Sequence, residues 1–207
     1  MTALLMLDHA SVLVFALTGA LVASRAQLDI VGFAFIACLT AVGGGTVRDV
    51  LLDRNPIFWM ASPSFIATAC AAALLIFFSA HLFESRYRLL LWLDSLALAV
   101  AVPAGVATAL AMAQPLPIVV IMGMVTGCLG GLMRDVVCNE VPLVLKQGEL
   151  YVTAAFAGSL GAALLTLVTD VELIILATCA GATWALRAGS LAFGWRLPVY
   201  RSRPPRA

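Results

Sequence analysis

One short motif occurs twice in this 207-residue chain at a fixed offset: Gly44-Gly45-Thr46-Val47-Arg48-Asp49 and Gly130-Gly131-Leu132-Met133-Arg134-Asp135. Each residue of the second copy lies 86 positions after its counterpart, and the same offset links Asp8 to Asp94, Gly19 to Gly105, Thr40 to Thr126 and Pro56 to Pro142. The register runs without a gap from Asp8 to Pro56, and eleven of those 49 aligned positions are identical. A chain written this way folds as two copies of one unit.

The solvent for that unit follows from composition. Apolar residues make up 63% of the chain, charged residues 11%, and mean hydropathy is +1.06. Soluble domains carry about a quarter charged residues, so the reading is an integral membrane protein whose first partner is the lipid bilayer. The formal net charge of +1 conceals a cluster of Arg196, Arg201, Arg203 and Arg206 at the end of the chain. That tail reads as a cytoplasmic anchor, and no nucleic-acid partner is expected. Five cysteines, Cys38, Cys70, Cys128, Cys138 and Cys179, show no metal-ligand spacing and read as small hydrophobes. Asp8 and His9 precede the first apolar run and the first arginine is Arg25, so no cleaved leader is expected.

A bilayer core about 30 Å thick needs roughly 20 apolar residues per helix. The charge-bearing breaks then give an all-α membrane protein with seven spans: Ala10 to Ser24, Ile30 to about Leu52, Pro63 to Phe83, Leu89 to Met112, Pro117 to about Val137, Leu150 to Val168 and Leu173 to Phe193. Three crossings per 86-residue unit force the second copy to enter from the opposite face. Within a single membrane domain, 1–207, the organisation is therefore an inverted repeat of 8–85 (helices 1 to 3) and 94–170 (helices 4 to 6), a seventh helix at 171–195 and a basic tail at 196–207. Loop alternation puts Arg25, Arg86, Arg88 and Lys146 on the side of the tail, with Asp8, Asp53, Arg54, Asp170 and Glu172 opposite. The positive-inside rule then places the amino terminus outside and the carboxyl terminus in the cytoplasm of a cell inner (plasma) membrane. Inverted repeats about an in-plane pseudo-two-fold are an architecture of transport proteins, with the functional site at the repeat interface.

The motifs carry residues that membrane helices avoid. Gly43, Gly44 and Gly45 interrupt an apolar stretch and destabilise helix by roughly 1 kcal/mol each relative to alanine, which predicts a break in helices 2 and 5 inside the membrane. Arg48, Asp49, Arg134 and Asp135 follow at a depth where ionised groups cost several kcal/mol unless paired or hydrated. Adjacent residues diverge by about 100° on a helix, so cross-repeat pairing, Arg48 with Asp135 and Arg134 with Asp49, is the expected geometry. Thr18, Thr40, Thr126 and Ser11 either line a wet path or bond to the backbone one turn earlier. Gly123, Gly127 and Gly131 form a double GxxxG face for close packing, within or between protomers. Arg187 in helix 7 is expected to reach the cytoplasmic surface.

The paired elements, the seven-helix plan and the inverted repeat resemble the prokaryotic members of the trimeric intracellular cation channel (TRIC) family, also described in bacteria as glycine-transporter-like. The resemblance implies a homotrimer with one pore per protomer, passing monovalent cations, chiefly potassium. It implies helix kinks at Gly43, Gly44, Gly45, Gly130 and Gly131, with Arg48, Asp49, Arg134, Asp135, Thr40 and Thr126 along or beside the pore. No bound cofactor is implied, only permeant potassium or sodium ions. Two arginines and two aspartates sum to zero, so cation selectivity rests on the resemblance and not on the motif. The alternative is a secondary carrier for glycine or another small amino acid, whose carboxylate and amine the Arg-Asp pairs would hold. The absence of a ligand cluster, of a nucleophile beside a base and of a phosphate loop argues against an enzyme.

Overall fold

The computed structural model describes residues 3–82, 86–198 and 200. The elements are helices α1 (Ala3–Arg25), α2 (Ile30–Leu51), a single turn α3 (Phe58–Ala61), α4 (Ser64–Ser79), α5 (Arg86–Ala111), α6 (Leu116–Val137), α7 (Val152–Leu165) and α8 (Glu172–Phe193). Short 3-10 turns continue α4 through Leu82 and bridge α6 to α7 at Leu143–Leu145. Six helices are long and apolar enough to cross a membrane, and α7 is shorter. The chain is a multi-pass membrane protein.

Local chemistry sets several of the boundaries. Asp29 caps α2, its carboxylate accepting from the Gly32 N–H at 2.7 Å. Asp29→Ala should destabilise the protein by about 1 kcal/mol, measurable as a small drop in thermal unfolding temperature; no change would show that α2 is held by packing alone. Pro115 and Pro117 open α6, where a missing N–H costs nothing. Gly194 ends α8 at φ 69°, a left-handed conformation favouring glycine.

Two boundaries depart from the sequence reading. Helix α1 starts at Ala3, well before Ala10, and so contains Asp8. A carboxylate ends a membrane helix only when it must reach water, and Asp8 is buried against an arginine instead. Helix α7 has 14 residues, a rise of about 21 Å, because the chain before it turns inward and buries Leu143, Leu150 and Tyr151. Of the tail, Arg201, Arg203 and Arg206 lie outside the described residues, as does Phe83. Arg196 pairs with Glu149 in an isolated antiparallel bridge, and the Leu197 N–H donates to the Gly148 carbonyl at 3.1 Å.

Helices α1 and α5 pack against each other, α2 against α6, and each of α2 and α6 also lies against the first helix of its own repeat. One apolar core centres on α1, α2 and α4 and a second on α5, α6, α7 and α8. The added helix α8 covers α5 and α7. Gly123 and Gly127 face Ser159, Val106, Val102 and Leu98, so this glycine face packs α6 onto α5 and α7 within the protomer.

Candidate functional site

Helices α2 and α6 meet through their glycines. A Cβ on Gly44 would lie 2.3 Å from the Thr126 carbonyl oxygen, and one on Gly130 would lie 2.4 Å from the Thr40 carbonyl oxygen. These contacts are equivalent at the offset of 86, so the crossing sits on the pseudo-two-fold. Both helices run unbroken through their glycines, which corrects the expected break. Hydrogen bonding survives because the glycines serve close approach: with no Cβ, each backbone lies directly on the other. Gly43 faces Met133, Gly45 faces the Phe58 ring, and Gly131 faces the Tyr151 hydroxyl. Thr40 and Thr126 are buried at the crossing, their hydroxyls donating to the Ile36 and Met122 carbonyls at 2.6 and 2.7 Å. That is the backbone-bonded alternative.

Four residues beyond each crossing glycine stands a fully buried arginine. Arg48 donates from Nε to Asp49 Oδ1 at 2.8 Å and from Nη1 to Asp8 Oδ1 at 3.1 Å. Arg134 repeats the pattern, Nε to Asp135 Oδ1 at 2.8 Å and Nη1 to Asp94 Oδ1 at 2.9 Å. Cross-repeat ion pairing is thereby corrected. The arginines lie about 6 Å from the crossing along antiparallel helices, in opposite directions, and each finds its carboxylate partners within its own repeat. Helical divergence did not forbid the neighbouring carboxylate, since the long arginine stem folds back and presents Nε to it.

Asp49 and Asp135 do a second job. Oδ2 of Asp49 accepts from the Phe58 N–H, and Oδ2 of Asp135 from the Leu143 N–H, both at 2.8 Å. Each aspartate thus pins the returning loop to the helix end, using both oxygens on protein donors. Trp59 adds to the first of these turns, donating from Nε1 to Thr46 Oγ1 at 2.9 Å. Arg54, partly exposed, also approaches Asp49 at 3.5 Å.

Asp8 and Asp94 are the residues that site reasoning missed. Hydropathy sets one before a span and the other inside one, although their identity at the repeat offset marks them as a matched pair. With them, each cluster holds two carboxylates to one guanidinium and, when these are ionised, carries one net negative charge. Among the described residues, the one direct hydrogen bond from a site arginine to the other repeat is Arg134 Nη1 to Thr18 Oγ1 at 2.8 Å. Its symmetry equivalent cannot form, because the position 86 residues after Thr18 is Ala104.

Arg187 does not reach the surface. It is fully buried, 2.8 Å from Glu149 and stacked 5.0 Å from the Tyr151 ring. The Tyr151 hydroxyl, Arg134 Nη2 and Asp94 Oδ1 all converge on Gly131. A charged chain therefore runs from the Arg134 cluster through Tyr151 to the added helix.

Comparison with known proteins finds the same unit twice. A family model described as "Glycine transporter" matches residues 5–81 and again 91–166, once in each half. A membrane protein of the UPF0126 group from Vibrio cholerae is 33% identical over 76% of this chain and 66% of its own length. The UPF0126 inner membrane protein YadS of Escherichia coli K12 is 35% identical over 74% of each. Among solved structures, a TRIC trimeric intracellular cation channel orthologue from Rhodobacter sphaeroides superposes with a TM-score of 0.90 at 37% identity, over 94% of this chain and all of that one. The chain belongs to the TRIC family. A second TRIC structure, described in terms of conductance through TRIC cation channels, aligns with a TM-score of 0.86 at 27% identity, over 98% of this chain and 100% of that one. Membership fixes the fold on which the two arginine clusters sit.

Proposed function

We propose that this TRIC-family protein is a passive channel for monovalent cations, chiefly potassium, working as a homotrimer with a pore in each protomer between α2 and α6. The observation that carries the reading is the pair of buried clusters on either side of the glycine crossing, each with two carboxylates to one guanidinium. Two such clusters make the path negative by about two charges, which favours a cation over an anion at low effective dielectric. The partly exposed Arg54 offsets one of those charges at the Arg48 end.

On this reading the guanidinium groups of Arg48 and Arg134 occlude a closed pore, with α2 and α6 in close contact at Gly44 and Gly130. Conduction then requires Arg48 and Arg134 to swing aside with Asp49 and Asp135, Thr40 and Thr126 to come into contact with water, and α2 and α6 to bend at Gly43, Gly44, Gly45, Gly130 and Gly131, where helix is weakest. Localisation in the inner membrane, with the amino terminus outside, accords with the loop charges: Arg25, Arg86, Arg88 and Lys146 lie at the helix ends opposite Asp53, Asp170 and Glu172.

The test is a planar-bilayer recording under a potassium chloride gradient. The expected result is unitary current reversing near the potassium Nernst potential, about 59 mV for a tenfold gradient. Asp8→Asn with Asp94→Asn should move the reversal potential toward zero. Reversal at the chloride potential would overturn the cation assignment. The family model's description favours a second reading, a glycine carrier. Saturable uptake of labelled glycine into proteoliposomes without unitary current would select the carrier over the channel.

A further inference from the structure

Apart from Arg54 beside Asp49, the two clusters match in their arginine–carboxylate pairs and differ in what surrounds them. Around Arg48 lies a cavity of about 10 Å³, bordered by Asp8, Ser11, Val12, Gly44 and Thr126. That is room for about one water molecule. Arg48 Nη2 is buried and finds no hydrogen-bond partner among the described residues, so a donor stands beside a polar space of the right size. Asp8 and Ser11 retain 6% and 7% exposure, whereas their equivalents at the other end, Asp94 and Ala97, have none.

The Arg134 end is lined differently, by three differences at equivalent positions and by Tyr151. Leu98 stands where the first repeat has Val12, and its Cδ1 presses on Gly127, where the first repeat has Ala41. Thr18, which has only Ala104 as its equivalent, holds Arg134 Nη1 at 2.8 Å. Tyr151, immediately before α7, brings its hydroxyl beside Arg134 and Asp94 and is backed by Arg187. Arg134 Nη2 is likewise without a hydrogen-bond partner among the described residues, but it lies with the Tyr151 hydroxyl over Gly131.

We infer that the protein is functionally lopsided: the Arg48 cluster is a water-binding site and the aqueous entrance, and the Arg134 cluster is the dry lock. Water at the Arg48 end lowers the cost of moving that guanidinium, because an unpaired charge there is hydrated and not stranded. At the Arg134 end, motion must first break the Thr18 bond and shift Tyr151. The consequence for gating rests on the channel reading above; the hydration asymmetry does not.

Side-specific thiol labelling in proteoliposomes separates the two. In a background with the five native cysteines replaced, Ser11→Cys and Ala97→Cys are exposed to a small charged methanethiosulfonate reagent from each face. Ser11→Cys should react from the face that carries Asp53, at least about tenfold faster than Ala97→Cys from the opposite face, the ratio given by an opening about 1.4 kcal/mol less costly. Thr126→Cys, on the cavity wall, should outpace its equivalent Thr40→Cys in the same way, which covers the case of a Ser11 variant that does not assemble. Thr18→Ala should raise labelling at Ala97→Cys. Equal rates, faster reaction at Ala97→Cys, or no reaction at either member of both pairs would overturn the asymmetry. Asymmetric labelling in a protein that passes no current would sink the channel reading and leave this one standing.

Discussion

Replacing Arg134 with alanine should lower the thermal unfolding temperature of the detergent-solubilised protein by about 10 °C or more. The substitution strands Asp94 and Asp135, both fully or almost fully buried, and removing one partner of a buried ion pair costs about 3 to 5 kcal/mol. It also removes the donor to Thr18 Oγ1, so that hydrogen bond between repeats is lost along with the charge balance. Lysine should rescue only part of the loss. A single ammonium cannot serve Asp135, Asp94 and Thr18 from the separate Nε and Nη1 positions that the guanidinium fork occupies. Arg134→Met combined with Asp94→Asn and Asp135→Asn should recover much of the stability, because no uncompensated charge remains. An unfolding temperature unchanged in Arg134→Ala would mean that the carboxylates are already neutral, and the electrostatic account of the site would fail.

The second large effect concerns a single methyl group. Gly44→Ala and Gly130→Ala each place a Cβ within 2.4 Å of a backbone carbonyl on the opposing helix. A side chain could rotate away, but a carbonyl held in helix cannot, so α2 and α6 must separate along their whole contact. Each variant should lose about 3 kcal/mol, the upper end of ordinary overpacking, and the double variant should fail to give folded protein on size-exclusion chromatography. Gly161→Ala and Gly181→Ala are the controls, since a Cβ at either position meets nothing within 4 Å. Those should be neutral or stabilising by up to about 1 kcal/mol through helix propensity. Wild-type stability in Gly44→Ala would show that the helices do not touch at the glycines.

The spans and the inverted repeat could be read from the sequence because the bilayer imposes them one segment at a time. A run such as Leu116 to Val137 must be helical wherever it packs, since its backbone has no other hydrogen-bonding partner in hydrocarbon. The Arg-Asp motifs were visible for the same reason: a charge at that depth is conspicuous. Asp8 and Asp94 were less so, because a carboxylate near a span end reads as a boundary until its partner is known. Their pairing partners stand 40 positions away in sequence, a distance that no local pattern encodes.

The glycines mark the limit of local propensity. Three in succession lower helix propensity, and a break was the natural expectation. Yet α2 and α6 stay helical, because the packing gained from backbone contact outweighs about 1 kcal/mol per glycine. The ion pairs show the same limit, since opposite charges in two antiparallel copies invite cross-pairing until the crossing point is located.

The amino-acid order alone determined that this is a duplicated, antiparallel, membrane-spanning helical protein with an arginine and an aspartate buried in each half, because hydrophobicity, span length and repetition act through the nearest residues. Only the tertiary structure decided which carboxylate each guanidinium meets, that the glycines are a contact and not a break, and that Thr18, Tyr151 and Leu98 close one end while a cavity sits at the other. Those outcomes depend on which side chains from distant segments share a few ångströms of space, and that is set by how the helices cross.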